Sequence, residues 1–589
     1  MVMNERQKQT NVNVSEKASL IWDIATHLYG EYKPHEYGRV ILPMTVIKRF
    51  DDCLKPTKEK VLATYKRVID KAAGTKDAVL KDASGYAFYN ISKFDLEKLL
   101  SDPDNITANF HDYLAGFSDN VKDVISYFEF DKEIDKMSQN DLLYTIIQEF
   151  NSKKADMSPD KVTSQDMGYI FEELVRRFSE SYDEQAGAHF TARDIIYLMA
   201  ELLIAPEKEF IKGRAANKTA YDMTMGTSQM LACLDERLKD INKDINLICY
   251  GQEFNPETFA IAKADMLIKG GNAENMKFGD TLSNDQFPDY TFDYIISNPP
   301  FGIDWKKEKA FVNIEAKLGY EGRFGPGLPS ISDGQLLFML NGVKKLKNTG
   351  RMAIIQNGSS LFNGDAGSGP SEIRRYLIEN DMVECIIQLP TDLFYNTGIT
   401  TYIWLVTKNK SVGRIGKVQL IDASKCFSKR RKNIGKKRVD LDDRCINFIL
   451  NAYNKFENNE YIDNDISVES KIFANEYFGY RNFTVETAAI DEKGNIILKK
   501  GNPVAVKGKT DSEIVPLLDD VDEYFKKNVF PYNPHAFIDD SKTKIGYEIP
   551  FTRIFYKFVE PKSSDEIFNE IKELEKEENR LMKELFGDE

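Results

Sequence analysis

The residues best suited to chemistry are Asn298-Pro299-Pro300-Phe301, which end an apolar run, Phe292 to Ile296, that reads as a buried strand. Two hydrogen-bond acceptors at such a tip suit methylation of an exocyclic amine. A purine amino group is a poor nucleophile because its lone pair is delocalised into the ring, so a catalyst must hold both N–H bonds and free that pair. The Asn298 side-chain oxygen and the Pro299 carbonyl can accept the two protons. Pro299 and Pro300, fixed in φ and lacking N–H groups, would aim that carbonyl rigidly. Phe301 would then stack on an extruded base. The plainer alternative is a strand followed by a Pro-Pro turn whose Asn merely caps the turn.

Such a tip needs a sheet behind it. Short apolar strands alternate with amphipathic helices: a strand near Ala220 to Met223, a helix from Ser228, a strand at Leu247 to Tyr250, and a helix from Pro256 capped by Asn255. The alternation continues through Phe292 to Ser297, a helix over Gly334 to Leu346, a strand at Met352 to Gln356 and a helix over Ser371 to Ile378. Val383 to Leu389 and Thr401 to Val406 read as two last strands able to pair antiparallel. This is a doubly wound α/β pattern, in which ligands sit beyond the carboxyl ends of the central strands.

The residues that end the first four strands are then Asp222, Glu253, Asp280 and Asn298. Asp222 opens a turn, Asp222-Met223-Thr224-Met225-Gly226-Thr227-Ser228, in which a carboxylate can hold an ammonium group while Gly226, Thr227 and Ser228 leave backbone donors for a polar ligand. A carboxylate placed like Glu253 typically chelates ribose hydroxyls. Phe254 would flank an adenine ring, and Asp280 would accept from its amino group. Each feature alone is common in loops; the ordered set is far rarer.

Composition sets the outer bounds. The chain has 589 residues, too many for one ordinary core, and no apolar targeting core or membrane-length run, so two or three domains of a cytoplasmic protein are expected. Six dispersed cysteines without a CxxC pair, with five histidines, indicate neither a disulfide framework nor a zinc site. A net charge of −14 argues against wrapping nucleic acid unaided. One local exception, Lys429-Arg430-Arg431-Lys432 with Lys436-Lys437-Arg438, can meet phosphates, an acidic protein face or only solvent. Gly508-Lys509-Thr510 lacks the earlier glycine of a phosphate loop, because Pro503 stands there. His189 reads as a structural loop histidine rather than an acid or base. Helical spacing over residues 1–160 gives a separate helical domain, residues 161–410 the catalytic domain, residues 411–560 a mixed extension of unassigned fold, and residues 561–589 an amphipathic helix with Ile567, Ile571, Leu574, Leu581 and Leu585 on one face.

Taken together, the chain resembles the modification (M) subunits of type I restriction-modification systems, a family of DNA adenine N6-methyltransferases. The resemblance rests on Leu42-Pro43-Met44-Thr45-Val46-Ile47-Lys48-Arg49-Phe50, Phe190-Thr191, Gly251-Gln252-Glu253, Asn298 to Phe301, Leu389-Pro390, Asn396-Thr397-Gly398 and Gly546-Tyr547-Glu548-Ile549-Pro550-Phe551. It implies a Rossmann-like domain using S-adenosyl-L-methionine, with Phe190 and Thr191 at the methionine part of the cofactor. It further implies double-stranded DNA, a specificity (S) subunit and a second M subunit as partners, with a restriction (R) subunit able to join, and a C-terminal helix that docks on the specificity subunit. The family's turn, Asp-Pro-x-x-Gly-Ser-Gly-Gly, is altered: Met223 replaces proline, and Ser228 and Gln229 replace two glycines. A catalytically degenerate scaffold and an RNA or protein N-methyltransferase are the competing expectations.

Overall fold

The computed structural model describes residues 16–180, 191–558 and 562–586. Its centre is a ten-stranded sheet. The strands are β1 (Ala216–Asp222), β2 (Ile245–Glu253), β3 (Met276–Phe278), β4 (Phe292–Ser297), β5 (Leu346–Asn357), β6 (Val383–Gln388), β7 (Thr401–Thr407), β8 (Lys417–Asp422), β9 (Asn459–Asp463) and β10 (Ile466–Ala474). They lie in the order β9-β10-β8-β6-β7-β5-β4-β1-β2-β3. The run from β3 through β2, β1 and β4 to β5 is parallel, and β7 slots antiparallel between β5 and β6, as its apolar run foretells. All seven residues of β7 are buried, which is why it shows no alternation.

The strand order reverses at β1, whose neighbours are β2 on one side and β4 on the other. A crevice therefore opens above the carboxyl ends of β1 and β4. Asn255 caps the helix Pro256–Ile268 as expected, its side chain accepting from Thr258 N at 3.0 Å. That helix is apolar nearly all round: Phe259 and Ala262 join the core under the sheet, while Ala260, Ile261, Ala264 and Leu267 join the core of the N-terminal helices. The helical domain expected to end at residue 160 is packed against the catalytic domain. The N-terminal helices share a core with the helix that follows Glu253, because one helix with two apolar faces must bury both.

The segment Leu42 to Phe50 lies in the helix Tyr37–Leu54, almost wholly buried with its charges internally matched. Lys48 pairs with Asp52 at 2.7 Å, Asp52 also accepts from Met157 N at 2.8 Å, and Asp51 accepts from the Tyr113 hydroxyl at 2.8 Å. Arg49 donates to the Met157 carbonyl.

The boundary expected at residue 410 moves. Strands β8, β9 and β10 extend the central sheet to Ala474, followed by a second, three-stranded antiparallel sheet of β11 (Gly479–Ala488), β12 (Ala505–Pro516) and β13 (Ala536–Tyr547). These last strands are half exposed, so their apolar positions are too few to show a clear period. Residues from Pro550 form a separate unit in which the helix Ser564–Phe586 exposes Ile567, Ile571, Leu574, Leu581 and Leu585.

A buried ion pair joins β5 to β6: Arg351 meets Glu384 at 2.6 Å and also donates to the Tyr453 hydroxyl at 3.0 Å, with Arg414 3.7 Å from the same carboxylate. Glu384→Ala would leave two buried guanidinium groups without their counter-charge. We expect it to lower unfolding stability by about 3–5 kcal/mol, read as a fall in the urea midpoint.

Candidate active site

Thr191, Asp222, Gly226, Thr227, Glu253, Phe254, Asp280, Asn298 and Pro300 line a single cavity of about 610 Å³. That size suits a nucleoside-sized ligand. Phe190 lies outside the described residues. Ser228 and Pro299 are buried beside the cavity without forming its wall. Phe301, expected to stack on a base, is 8% exposed, belongs to the hydrophobic core and is not among the residues that line the cavity. Gln229, the residue that replaces a glycine in the turn, is on the wall, and wall residues that sequence reasoning misses include Met225, Trp305 and Phe338. Trp305 alone offers a signal, as one of three tryptophans and close behind the diproline corner.

β4 brings the two halves of the site together. Ser297, its last residue, donates its hydroxyl to Asp222 Oδ1 at 2.7 Å, and Thr224 N donates to the same oxygen at 3.1 Å. One residue further, Asn298 is buried, and its Nδ2 donates to Thr191 Oγ1 at 2.8 Å. Glu253 closes the turn above β1, taking Gly226 N at 2.8 Å on one oxygen, and Asn255 N at 2.8 Å and Phe254 N at 3.0 Å on the other. Asp280 Oδ1 accepts from Leu282 N and Ser283 N, both at 2.8 Å. Phe254, 65% exposed, stands on the wall with a face available for stacking.

Asp222 and Glu253 are both buried, and among the described residues neither forms an ion pair. Burial pushes the Asp222 carboxyl up to about 7, with the bonds from Ser297 and Thr224 pulling the other way and Glu253 adding to the rise. Burial also raises Glu253, against its three backbone donors. Acids in such a state suit a ligand that brings a cation and hydroxyl donors. Gly226 has a φ of +51°, and a Cβ built there meets no atom within 4 Å, so the backbone is open to close approach.

The altered turn leaves the cavity open. Ser228 takes the left-handed conformation, φ +67°, that a glycine would adopt freely. Gln229 turns its amide toward the helix Ser164–Glu180, where a Cβ on Gly168 would fall 2.1 Å from its Nε2. A missing side chain on that helix thus accommodates the added one on the turn. Met223 is fully buried, its sulfur accepting from Asn341 Nδ2 at 3.5 Å.

Residues 162–493 match the N-6 DNA Methylase family, and residues 17–150 match the HsdM N-terminal domain. The chain belongs to the N-6 DNA methylase family. This methylase is 24% identical to the type I restriction enzyme MjaIX methylase subunit of Methanocaldococcus jannaschii, over 83% of this chain and 84% of that one. It is 30% identical to the HindI methylase subunit of Haemophilus influenzae over 44% of this chain and 54% of that one. The solved type I restriction-modification system methyltransferase subunit from Streptococcus thermophilus shares its fold, with a TM-score of 0.61 and 23% identity, covering 79% of this chain and 96% of that chain. The methylase is a DNA methyltransferase of the type I modification-subunit kind.

Two measurements follow from the site. Between an unfolded value near 4 and about 7, folded Asp222 keeps a proton that the unfolded chain has released, so this group's contribution to stability falls as pH rises through that window. Asp222→Asn is therefore expected to flatten the decline in urea midpoint between pH 5 and pH 8 and to raise the midpoint at pH 8. Separately, Gly168→Ala should push Gln229 toward the cavity and weaken binding of a nucleoside-sized ligand several-fold in calorimetry, with Gly168→Ala/Gln229→Gly restoring it.

Proposed function

We propose that this chain is an S-adenosyl-L-methionine-dependent DNA adenine N6-methyltransferase, acting as the modification subunit of a type I restriction-modification complex. The observation that carries the reading is the coupling of Asn298, held by Thr191, to a cavity walled by two buried acids that pair with no cation among the described residues. S-adenosyl-L-methionine supplies an electrophilic methyl group on a sulfonium. Asp222 would hold its ammonium and Glu253 its ribose hydroxyls, since Asp222 Oδ2 and Glu253 Oε2 keep acceptor capacity while Asp222 Oδ1 and Glu253 Oε1 already take two donors each. Phe254 would stack on its adenine, and Asp280 would accept from that ring's amino group. The Thr227 and Ser228 backbone belongs to the same turn, and Thr191 would meet the methionine end.

At the other end of the cavity, Asn298 Oδ1 and the Pro299 carbonyl would accept the two N–H bonds of the target adenine. Holding those protons in fixed directions turns the nitrogen lone pair toward the methyl group and lowers the cost of its pyramidalisation. Pro300 fixes the corner, with Phe301 in the hydrophobic core. The target base must leave its duplex to arrive there, because its amino nitrogen is otherwise paired. A specificity subunit and a second modification subunit would supply sequence choice and much of the DNA grip, in line with the net charge of −14. A restriction subunit would join the same assembly. The scaffold alternative finds no support in a blocked cavity, since neither Ser228 nor Gln229 fills it.

The deciding experiment pairs calorimetry with S-adenosyl-L-methionine and a methyl-transfer assay on duplex DNA and on RNA. The native complex should bind the donor and methylate adenine N6 in duplex DNA. Asn298→Ala should keep donor affinity within about twofold while transfer falls by about 10²-fold or more, the scale of removing a preorganised transition-state interaction. Full transfer by that variant removes the amine-holding role, and transfer to RNA alone removes the DNA assignment.

A further inference from the structure

The basic segment singled out in the sequence folds as a β-hairpin, Ser428–Ile434 against Lys437–Asp440. Its return strand alternates strictly. Lys437 and Val439 point inward and are buried, while Lys436 and Arg438 beside them are exposed. The inward side is an anchor. Lys437 pairs with Asp194 at 2.9 Å and donates to the Leu393 carbonyl at 3.0 Å; Leu441 N donates to Asp194 Oδ2 at 2.8 Å. Two backbone bonds, Lys436 N to Tyr395 O at 2.7 Å and Arg438 N to Asp392 O at 2.8 Å, add the hairpin to the loop between β6 and β7.

Both anchors sit at the active edge of the sheet. β6 runs parallel to β5, since each is antiparallel to β7, so the loop after β6 lies at the same edge as Asp222 and Asn298. Asp194 is three residues along the chain from Thr191, a separation of about 10 Å at most. The hairpin is therefore fixed at the edge of the sheet that carries the Asn298 corner.

The outward side is a concentration of positive charge on an acidic chain. Lys429, Arg431, Lys432, Lys436 and Arg438 are exposed, and among the described residues none of the five forms an ion pair. Asp440, the lone carboxylate of the hairpin, is taken by Arg430 and Lys437. Mutual repulsion of five unneutralised cations on a short hairpin disfavours the free state and is relieved by a polyanion. A rigid two-stranded ribbon has the width to follow a DNA groove while its cations meet phosphates.

We propose that the Ser428–Asp440 hairpin is a phosphate clamp for duplex DNA, gripping the backbone beside the base that enters the Asn298 corner. The proposal rests on the methyltransferase reading above, and its test is independent of methyl transfer. The native complex and a variant with Lys429→Ala, Arg431→Ala and Lys432→Ala are titrated with a fluorescent 30-base-pair duplex at several salt concentrations, with donor binding measured alongside. The variant should bind donor as the native complex does and bind DNA more weakly, with the slope of log K against log salt reduced by about 0.9 for each phosphate no longer neutralised. Lys436→Ala/Arg438→Ala should act in the same direction. An unchanged slope overturns the clamp, as does native DNA binding without salt dependence. Loss of association with a partner subunit at unchanged duplex affinity overturns it in favour of an acidic protein face. Failure of methyl transfer by the native complex with the slope change intact would sink the catalytic reading and leave the clamp standing.

Discussion

Two carboxylates buried with no paired cation among the described residues, Asp222 and Glu253, are the constraint around which the rest of the site is arranged. Ion pairs would have made them cheaper to bury, and would also have used up the charge. Instead they are held by neutral donors: a serine hydroxyl, a threonine N–H and the backbone of the turn and of the helix after β2. Such donors orient a carboxylate yet leave its field directed at the cavity. The cost appears as a proton that Asp222 retains until about pH 7. A site built this way is poised for a cationic ligand and is least content when empty.

The same constraint couples the two halves of the crevice. Because β4 lies beside β1, Ser297 reaches Asp222, and the next residue, Asn298, has its direction fixed by where that hydroxyl must point. Thr191 then holds the amide from the opposite side. Asp222 and the amide held by Thr191 are thus served by consecutive residues of one strand tip, which places them at a separation that loop motion cannot easily change. The switch in strand order at β1 is what makes this adjacency possible.

Much of this is legible in the sequence because the signals are local. Strand tips ending in Asp222, Glu253 and Asn298, the Asn255 cap and the antiparallel β7 all follow from short apolar runs with distinctive flanks. What escapes is set by neighbours distant along the chain. Helix Pro256–Ile268 has two apolar faces, and no periodicity says which core each will join, so the packing of the N-terminal helices against the catalytic domain is not read from the sequence. Strands β8 to β10 join the sheet only through pairing, and the half-exposed strands after Gly479 carry too few apolar positions to announce themselves. Phe301 misleads for the same reason: an aromatic residue at a strand tip looks the same whether its ring faces the crevice or the core.

The altered glycine turn shows how a motif can change its letters while keeping its shape. What a glycine contributes there is a positive φ and an absence of bulk, and these are separable requirements. Ser228 meets the first by accepting a left-handed backbone at a cost of about 1 kcal/mol. Gln229 meets the second by staying on the cavity wall with its amide end against the facing helix, where Gly168 leaves a notch at the position a Cβ would occupy. Gly226, whose conformation and whose open side both face the cavity, is the one position where neither requirement can be transferred to a neighbour. It is the glycine that the turn retains. A consensus of four or five letters therefore overstates what the pocket demands: one bare backbone position, one left-handed residue, and room elsewhere for whatever side chain is added.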